Sequence, residues 1–312
     1  MTEFTKEIIE KFQVRKTKKQ KSAFIEYLQG VCKKLGYESR IEKGQLGARN
    51  VVIGDPETAK VVYTAHYDTA PALPFPNFLT PKNILIYILY MLAILVASFA
   101  IFFAIGFTVG LAASYISTDN LTLKLIVKLL PRFIYIGILL LMLFGPANKH
   151  TVNDNTSGVV TLIEIMNALP EEKRSQVCFV FFDLEEMGLF GSQGFYAKHK
   201  KALKSKLVLN FDCVSDGRNM LFATKKQTRA FASVLNNAFS SNEEIDCEIA
   251  DGFVFYPSDN MSFPLGIGVA AFNKTKGGIL YVGRIHTKRD IIFRSENIVF
   301  LTEGSVKLVD LI

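Results

Sequence analysis

The chain has 312 residues, 49% of them hydrophobic, with a net charge of +7 and a pI near 9.1. That is enough for one large α/β domain or two smaller ones with a substantial core. The basic balance does not mark a nucleic-acid binder, because Lys and Arg concentrate in the first 50 residues and around one apolar segment, and no aromatic-rich basic motif is present. The cysteines, Cys32, Cys178, Cys213 and Cys247, are widely spaced without a C-x-x-C pair, so nothing calls for an oxidising compartment.

The amino terminus, Met1 to Glu7, is charged and has no apolar signal core, so export by a cleaved signal is not expected. Residues 5 to 35 carry one helical periodicity, with Ile8, Ile9, Phe12, Phe24, Tyr27, Leu28 and Val31 on the apolar face. Arg15-Lys16-Thr17-Lys18-Lys19-Gln20-Lys21 reads there as a solvated helix face, with anionic headgroups as the alternative partner. Short strands follow at Glu38 to Glu42 and Asn50 to Gly54, then a buried strand, Lys60 to Ala65, that delivers His66.

From Asn83 to Thr118 there is no charged residue, and a second apolar run extends from Phe133 to Gly145. About 20 apolar residues cross a bilayer as a helix. The expectation is a membrane hairpin, with one span within Ile84 to Ile116 and a return over Leu129 to Phe144. Lys124, Lys128 and Arg132 form a basic stripe at the interface beyond the first span. A buried helical cap or dimer interface is the competing reading, and the uncharged length argues against it.

Beyond the insert, Thr156 to Leu169 reads as an amphipathic helix, Gln176 to Asp183 and Lys206 to Asp212 as buried strands, and Met220 to Ala223 as a further strand. A helix is expected at Gln227 to Phe239, a strand at Ile267 to Phe272 and a closing helix at Glu296 to Leu311. Strands alternating with helices imply an α/β fold with a mostly parallel, helix-covered sheet.

Five acidic and histidine stations punctuate this series: His66-Tyr67-Asp68, Asn153-Asp154-Asn155, Asp183-Leu184-Glu185-Glu186, Asn210-Phe211-Asp212 and Ile285-His286-Thr287. One His or Asp at a strand end is usually structural, and Glu185-Glu186 alone would read as the acidic start of a helix. Together, two histidines and several carboxylates supply what a pair of zinc-like ions takes. His150 reads as a flanking loop residue and His199 as a solvated helix end.

In order, these stations with their neighbours Thr156-Ser157-Gly158, Met187-Gly188-Leu189-Phe190-Gly191-Ser192 and Lys288-Arg289-Asp290 resemble the motifs of the co-catalytic zinc aminopeptidase family. That family includes aminopeptidase Y-like enzymes, glutamate carboxypeptidase and glutaminyl cyclase. The resemblance covers residues 5 to 70 and 147 to 312 and not the apolar insert. It implies two Zn2+, one on His66 and Asp212, the other on Glu186 and His286, with Asp154 bridging. It further implies Glu185 as general base and Asp68 as the carboxylate that orients His66. Gly158 and Gly188 would permit close backbone approach. Where the family often carries His, this chain has Asn260, so pocket specificity transfers less readily than metal binding.

The expected protein is a membrane-anchored di-zinc aminopeptidase, with a discontinuous catalytic domain (1–82 and 146–312) and a transmembrane hairpin (83–145). Metal-bridged hydroxide would attack the first peptide bond. An aminoacyl cyclase with a single zinc, acting on amino-terminal Gln, is the alternative enzyme, and a non-catalytic receptor or scaffold the alternative class. Because His66 and Asp154 must meet at one centre, the insert crosses an even number of times. The basic turn slightly favours an external catalytic domain. Moving residues 1–82 across without a signal weighs more, so the catalytic domain is expected in the cytoplasm. The partners expected are a peptide and the bilayer, with no nucleic acid.

Overall fold

The computed structural model describes residues 1–115 and 120–312. Two helices, α1 (Glu3–Lys11) and α2 (Lys18–Lys34), precede strands β1 (Ser39–Lys43), β2 (Arg49–Ile53) and β3 (Val61–His66). The long helices α3 (Ile84–Ser114) and α4 (Leu121–Phe144) come next. Then follow α5 (Gly158–Ala168), β4 (Val177–Phe182), α6 (Phe190–Lys198), α7 (Lys200–Leu203), β5 (Leu207–Phe211) and β6 (Asn219–Ala223). The chain closes through α8 (Ala232–Ala238), β7 (Asp246–Ile249), β8 (Gly266–Lys274), β9 (Leu280–Tyr281) and α9 (Ser295–Leu311).

The strands form one mixed sheet in the order β1-β2-β4-β3-β5-β8-β6-β7, with β9 against β8. Its centre, β4-β3-β5-β8, is parallel, and the pairs β1-β2, β2-β4 and β6-β8 are antiparallel. β3, β4 and β5 are buried along their whole length, as parallel strands covered on both faces are. Alternate side chains divide between the faces. Val61, Tyr63 and Ala65 join the core made with α1, α2, α5 and α9. Val62 joins Cys178, Val180 and Phe182 against Phe195 and Leu203 of α6 and α7.

The expected helix over residues 5 to 35 is two helices. Thr17 accepts the Gln20 N–H at 3.2 Å while the Gln20 side chain accepts the Thr17 N–H at 2.9 Å, a reciprocal cap that starts α2 afresh. The break turns Arg15 inward. Arg15 is fully buried, and Lys21 is buried in an ion pair with Asp183, so neither lies on the solvated or lipid-facing surface expected of them. α5 is not amphipathic: it is buried from Gly158 to Met166, held between the sheet, α1 and α9. The helix expected over Gln227 to Phe239 is a tight turn followed by the short α8, and edge strand β7 was not anticipated.

α3 and α4 contain no buried residue and pair with each other through Ser98 Oγ and Tyr135 OH at 2.6 Å and the Phe102–Tyr135 ring contact at 5.0 Å. Their 31 and 24 residues make each long and apolar enough to cross a membrane. The end of the first expected span, Ile116, lies outside the described residues. α4 starts earlier than expected, so Lys124, Lys128 and Arg132 belong to the helix itself and not to a turn beyond it.

His199 is also not a solvated helix end. It packs on Phe195 with ring centroids 4.7 Å apart, and its Nε2 lies 2.9 Å from buried Glu42, which also accepts from Lys198 at 2.8 Å and Arg40 at 2.9 Å. Burial raises the Glu42 pKa, but the Lys198, His199 and Arg40 donors outweigh it and hold it at about 2, below its ordinary 4.5. A carboxyl depressed in the folded state adds stability above the unfolded value and loses it as pH falls toward the folded one. Glu42→Gln is expected to flatten the fall in calorimetric Tm between about pH 5 and about pH 2.5, removing about 1–2 kcal/mol of pH-dependent stability after discounting for the exposed donor ends. Parallel profiles for the two proteins would refute this.

Candidate active site

The parallel centre of the sheet gathers the stations at one edge. β3 ends in His66, β5 runs into Asp212, and β4 runs into Asp183-Leu184-Glu185-Glu186, with His66 in register with Phe182. The carboxyl ends of neighbouring parallel strands are where an open α/β sheet places its site. The turn Val152–Ser157 brings Asp154 to the same point, and the loop after β9 brings His286. Asp154 stands between the two histidines. Its Oδ1 lies 3.3 Å from His66 Nε2 and its Oδ2 lies 2.8 Å from His286 Nε2. His66 Nε2 is also 3.6 Å from Asp212 Oδ1, and His286 Nε2 is 3.5 Å from Glu186 Oε1.

Each donor loop is pinned from behind. Asp68 accepts the N–H groups of Glu185 at 3.0 Å and Glu186 at 3.2 Å, and its Oδ1 faces His66 Nδ1 at 3.6 Å, beyond hydrogen-bond length. Asp290 accepts the N–H groups of Asn153 at 2.7 Å and Asp154 at 3.0 Å. Asn153 Oδ1 accepts from Ser215 and Asp216, and Asn155 Nδ2 donates to the Phe211 carbonyl, so the Asp154 turn is laced to the Asp212 loop. Gly158 allows this approach, since a Cβ there would sit 2.2 Å from the Phe211 carbonyl oxygen. Gly188 serves differently: its surroundings leave room, and its φ of +116° is what favours glycine. Leu184, Cys213 and His286 also hold positive φ, each at or next to a site residue, where backbone strain concentrates in functional loops.

The electrostatics are those of a cation site. Burial lowers His66 and His286, yet the carboxylates around them, Glu185 foremost at His66 and Glu186 at His286, raise both pKa values well above the ordinary range. Asp154 is pushed up by burial and more strongly down by the two histidines. Glu185 and Glu186 are raised, first by burial and then by their acidic neighbours. Glu186 Oε1 is buried without a hydrogen-bond partner. Ligand atoms of His66, Asp154 and Glu186 lie within 4.8 Å of one another, as do those of His66, Glu185 and Asp212. Imidazole nitrogens and carboxylate oxygens converging in this way, one oxygen unpartnered, fit zinc. Cys213 also lies within reach, but burial raises its thiol pKa well above normal and its Sγ donates to Asp212 Oδ1 at 3.1 Å.

The structure thus brings His66, Asp68, Asp154, Glu185, Glu186, Asp212 and His286 together. Asp183 turns away: it pairs with Lys21 and accepts the Arg49 and Leu184 N–H groups. Asn260 lies against Gly268, and its carbonyl accepts from Lys225 Nζ at 2.8 Å. Sequence reasoning missed Arg15, which donates to the Tyr67 carbonyl and to Thr156 Oγ1 at 3.1 Å, and Asp259, fully buried with both oxygens unpartnered and raised by burial to about 7. It also missed Tyr256, whose OH donates to the Asp212 carbonyl at 2.9 Å. A cavity of about 180 Å³ opens onto His66, Asp154, Glu185, Glu186, Asp212 and His286. A larger one of about 370 Å³ near β6 and β7 touches none of these groups.

Residues 142–299 match the family model described as Peptidase family M28, a segment that holds Asp154, Glu185, Glu186, Asp212 and His286 and leaves His66 upstream. The aminopeptidase LapA of Legionella pneumophila superposes with a TM-score of 0.58 at 14% identity, over 99% of this chain and 70% of that one. The glutaminyl cyclase of Porphyromonas gingivalis superposes with a TM-score of 0.57 at 17% identity, over 98% and 95%. That of Macrostomum lignano gives 0.51 at 11% identity, over 100% and 88%. At these identities the likeness is one of fold. No curated protein sequence gives a match.

Proposed function

We propose, on the premise that the chain belongs to peptidase family M28, that it is a membrane-anchored zinc aminopeptidase releasing the amino-terminal residue of a peptide. The observation that carries this reading is the two-sided engagement of Asp154, one oxygen toward each histidine. It favours a pair of ions over the single zinc of an aminoacyl cyclase. His66 and Asp212 would hold one Zn2+ and Glu186 and His286 the other, with Asp154 between them. When bound, such ions polarise a carbonyl and make water a nucleophile near neutral pH.

The chain's own residues supply the rest. Glu185, facing the cavity and fixed at its backbone by Asp68, takes the proton of the attacking water and returns it to the leaving amine. Asp68 positions Glu185 and Glu186 through their N–H groups and would orient His66, whose Nδ1 it faces at 3.6 Å. The cavity, about 180 Å³, is below the roughly 300–1,000 Å³ of sites that engulf a whole small molecule, which suits one terminal residue.

The insert, residues 83–145, anchors a catalytic domain made of 1–82 and 146–312, placed in the cytoplasm. α3 at about 46 Å and α4 at about 36 Å exceed a hydrocarbon core of about 30 Å. The Lys and Arg of α4 snorkel toward headgroups. Digestion of a peptide library by the full chain, read by mass, is expected to show loss of single amino-terminal residues that a chelator stops and zinc restores. Ammonia release with pyroglutamate formation would put the cyclase in its place.

A further inference from the structure

The insert does not merely interrupt the catalytic domain, because its lead-in builds the rim of the pocket. From Pro71 to Pro81 the chain is stitched to the site: the Leu73 N–H donates to the His286 carbonyl at 2.8 Å, and Leu79 and Val282 exchange backbone hydrogen bonds at 3.1 and 3.0 Å. Ala72 donates to the Pro146 carbonyl at 2.9 Å, so the hairpin's exit is tied to the same strap. Asn77, Leu79 and Tyr87 then line the cavity that holds His66, Asp154 and His286. Tyr87 lies in the first turn of α3 and packs on Phe255 with ring centroids 5.8 Å apart.

Within one turn of Tyr87, the outward side chains are already apolar and open: Leu85 is 66% exposed, Ile88 52% and Leu89 55%. Tyr90, whose OH donates to the Pro76 carbonyl, stands beside Tyr87, and Tyr115 caps the far end of the helix. At 1.5 Å per residue, Tyr87 and Tyr115 are about 42 Å apart, close to the roughly 40–45 Å of a bilayer with its headgroups. Tyrosines at both ends of an apolar helix mark the two headgroup levels.

We infer that the pocket opens at the headgroup level of the bilayer and that its substrates are peptides held at that surface, with Tyr87 as the wall that meets their leading residue. The inference rests on the aminopeptidase reading above. Water adds across the first peptide bond, and the leading residue leaves as a free amino acid while the rest stays with the membrane.

The test uses the full chain in phosphatidylcholine nanodiscs with zinc and two reporters sharing one amino-terminal sequence. One is joined to a bilayer-embedded palmitoyl anchor by a spacer of four residues, the other by a spacer of twenty. Four residues reach at most about 14 Å. The short-tether reporter is expected to be cleaved within about threefold of the long-tether one. Cleavage of the long tether with the short one more than about thirtyfold slower would overturn the surface placement while leaving the peptidase intact. No chelator-sensitive cleavage of either, nor of an untethered peptide, would overturn the peptidase reading and this one with it. Tyr87→Ala is expected to raise KM about fivefold or more with kcat within about twofold, and Tyr87→Phe to restore it. An unchanged KM in the alanine variant removes Tyr87 from the wall.

Discussion

Glu185→Gln is expected to lower kcat about 10³-fold while zinc content stays at the level of the unaltered chain. The size follows from the role, since a positioned general base contributes roughly 10²–10⁴-fold, and 10³ corresponds to about 4 kcal/mol of barrier. Retained metal follows from the division of labour proposed above, in which Glu185 is the base and Glu186 the ligand. The backbone N–H that Asp68 accepts at 3.0 Å survives the substitution, so the turn keeps its shape. An amide of the same shape cannot accept the proton. The comparison variant is Glu186→Gln, where metal content falls together with rate. Turnover per bound zinc, measured by metal analysis and single-turnover release of the terminal residue, separates the two. Near-normal turnover in the fully metallated Glu185→Gln protein would remove Glu185 from the base role and point to another carboxyl, with Asp259, buried and with both oxygens unpartnered, the candidate to test.

The neighbourhood of Glu185 also shows which parts of the site a sequence can carry. β3 and β5 were legible because a run of apolar residues ending in His66 or in Asp212 says both that the strand is buried and where its polar end emerges. The length and lack of charge of α3 were legible for the same reason: composition alone sets them. What was not legible depends on which charged side chain finds a partner in three dimensions. Arg15, Lys21 and His199 sit in basic stretches whose other members are mostly exposed, and nothing local distinguishes a lysine bound for Asp183 from one bound for water. The break that turns Arg15 inward did leave a trace, since Thr17-Lys18-Lys19-Gln20 has the spacing of a capping box inside an otherwise helical pattern. The part played by Tyr87 left none, because it arises from the fold of the strap and not from the apolar run in which the residue lies.

Arg15 carries the largest structural effect expected of any single side chain outside the proposed metal ligands. It is fully buried beneath the site, its guanidinium lies 5.2 Å above the Phe24 ring, and it donates to the carbonyls of Phe12 and Tyr67 and to Thr156 Oγ1. Those contacts tie the amino-terminal segment to the His66–Thr69 loop and to the Asp154 turn, and its own N–H donates to Thr69 Oγ1 at 2.9 Å. Burial lowers its pKa to about 10, still far above neutrality, with Asp68 and Asp154 opposing the shift, so the group is charged and faces the acidic centre. Arg15→Met removes that charge and leaves the buried Tyr67 carbonyl and the part-buried Phe12 carbonyl short of a donor, for an expected loss of about 3–5 kcal/mol in unfolding free energy. Arg15→Lys keeps the charge without the planar fork and is expected to recover only part of the loss. Lys19→Met, on the exposed side of the same basic cluster, should stay within about 0.5 kcal/mol of the unaltered chain. Because the metal-free site has more carboxylates than cations, the deficit of Arg15→Met should be deepest in chelator and shrink as zinc is added, by as much as the variant, freed of a neighbouring positive charge, binds zinc more tightly than the unaltered chain does. Denaturant unfolding of the three variants, with and without zinc, decides it: an Arg15→Met midpoint indistinguishable from that of Lys19→Met would mean that this guanidinium does not hold the two loops together.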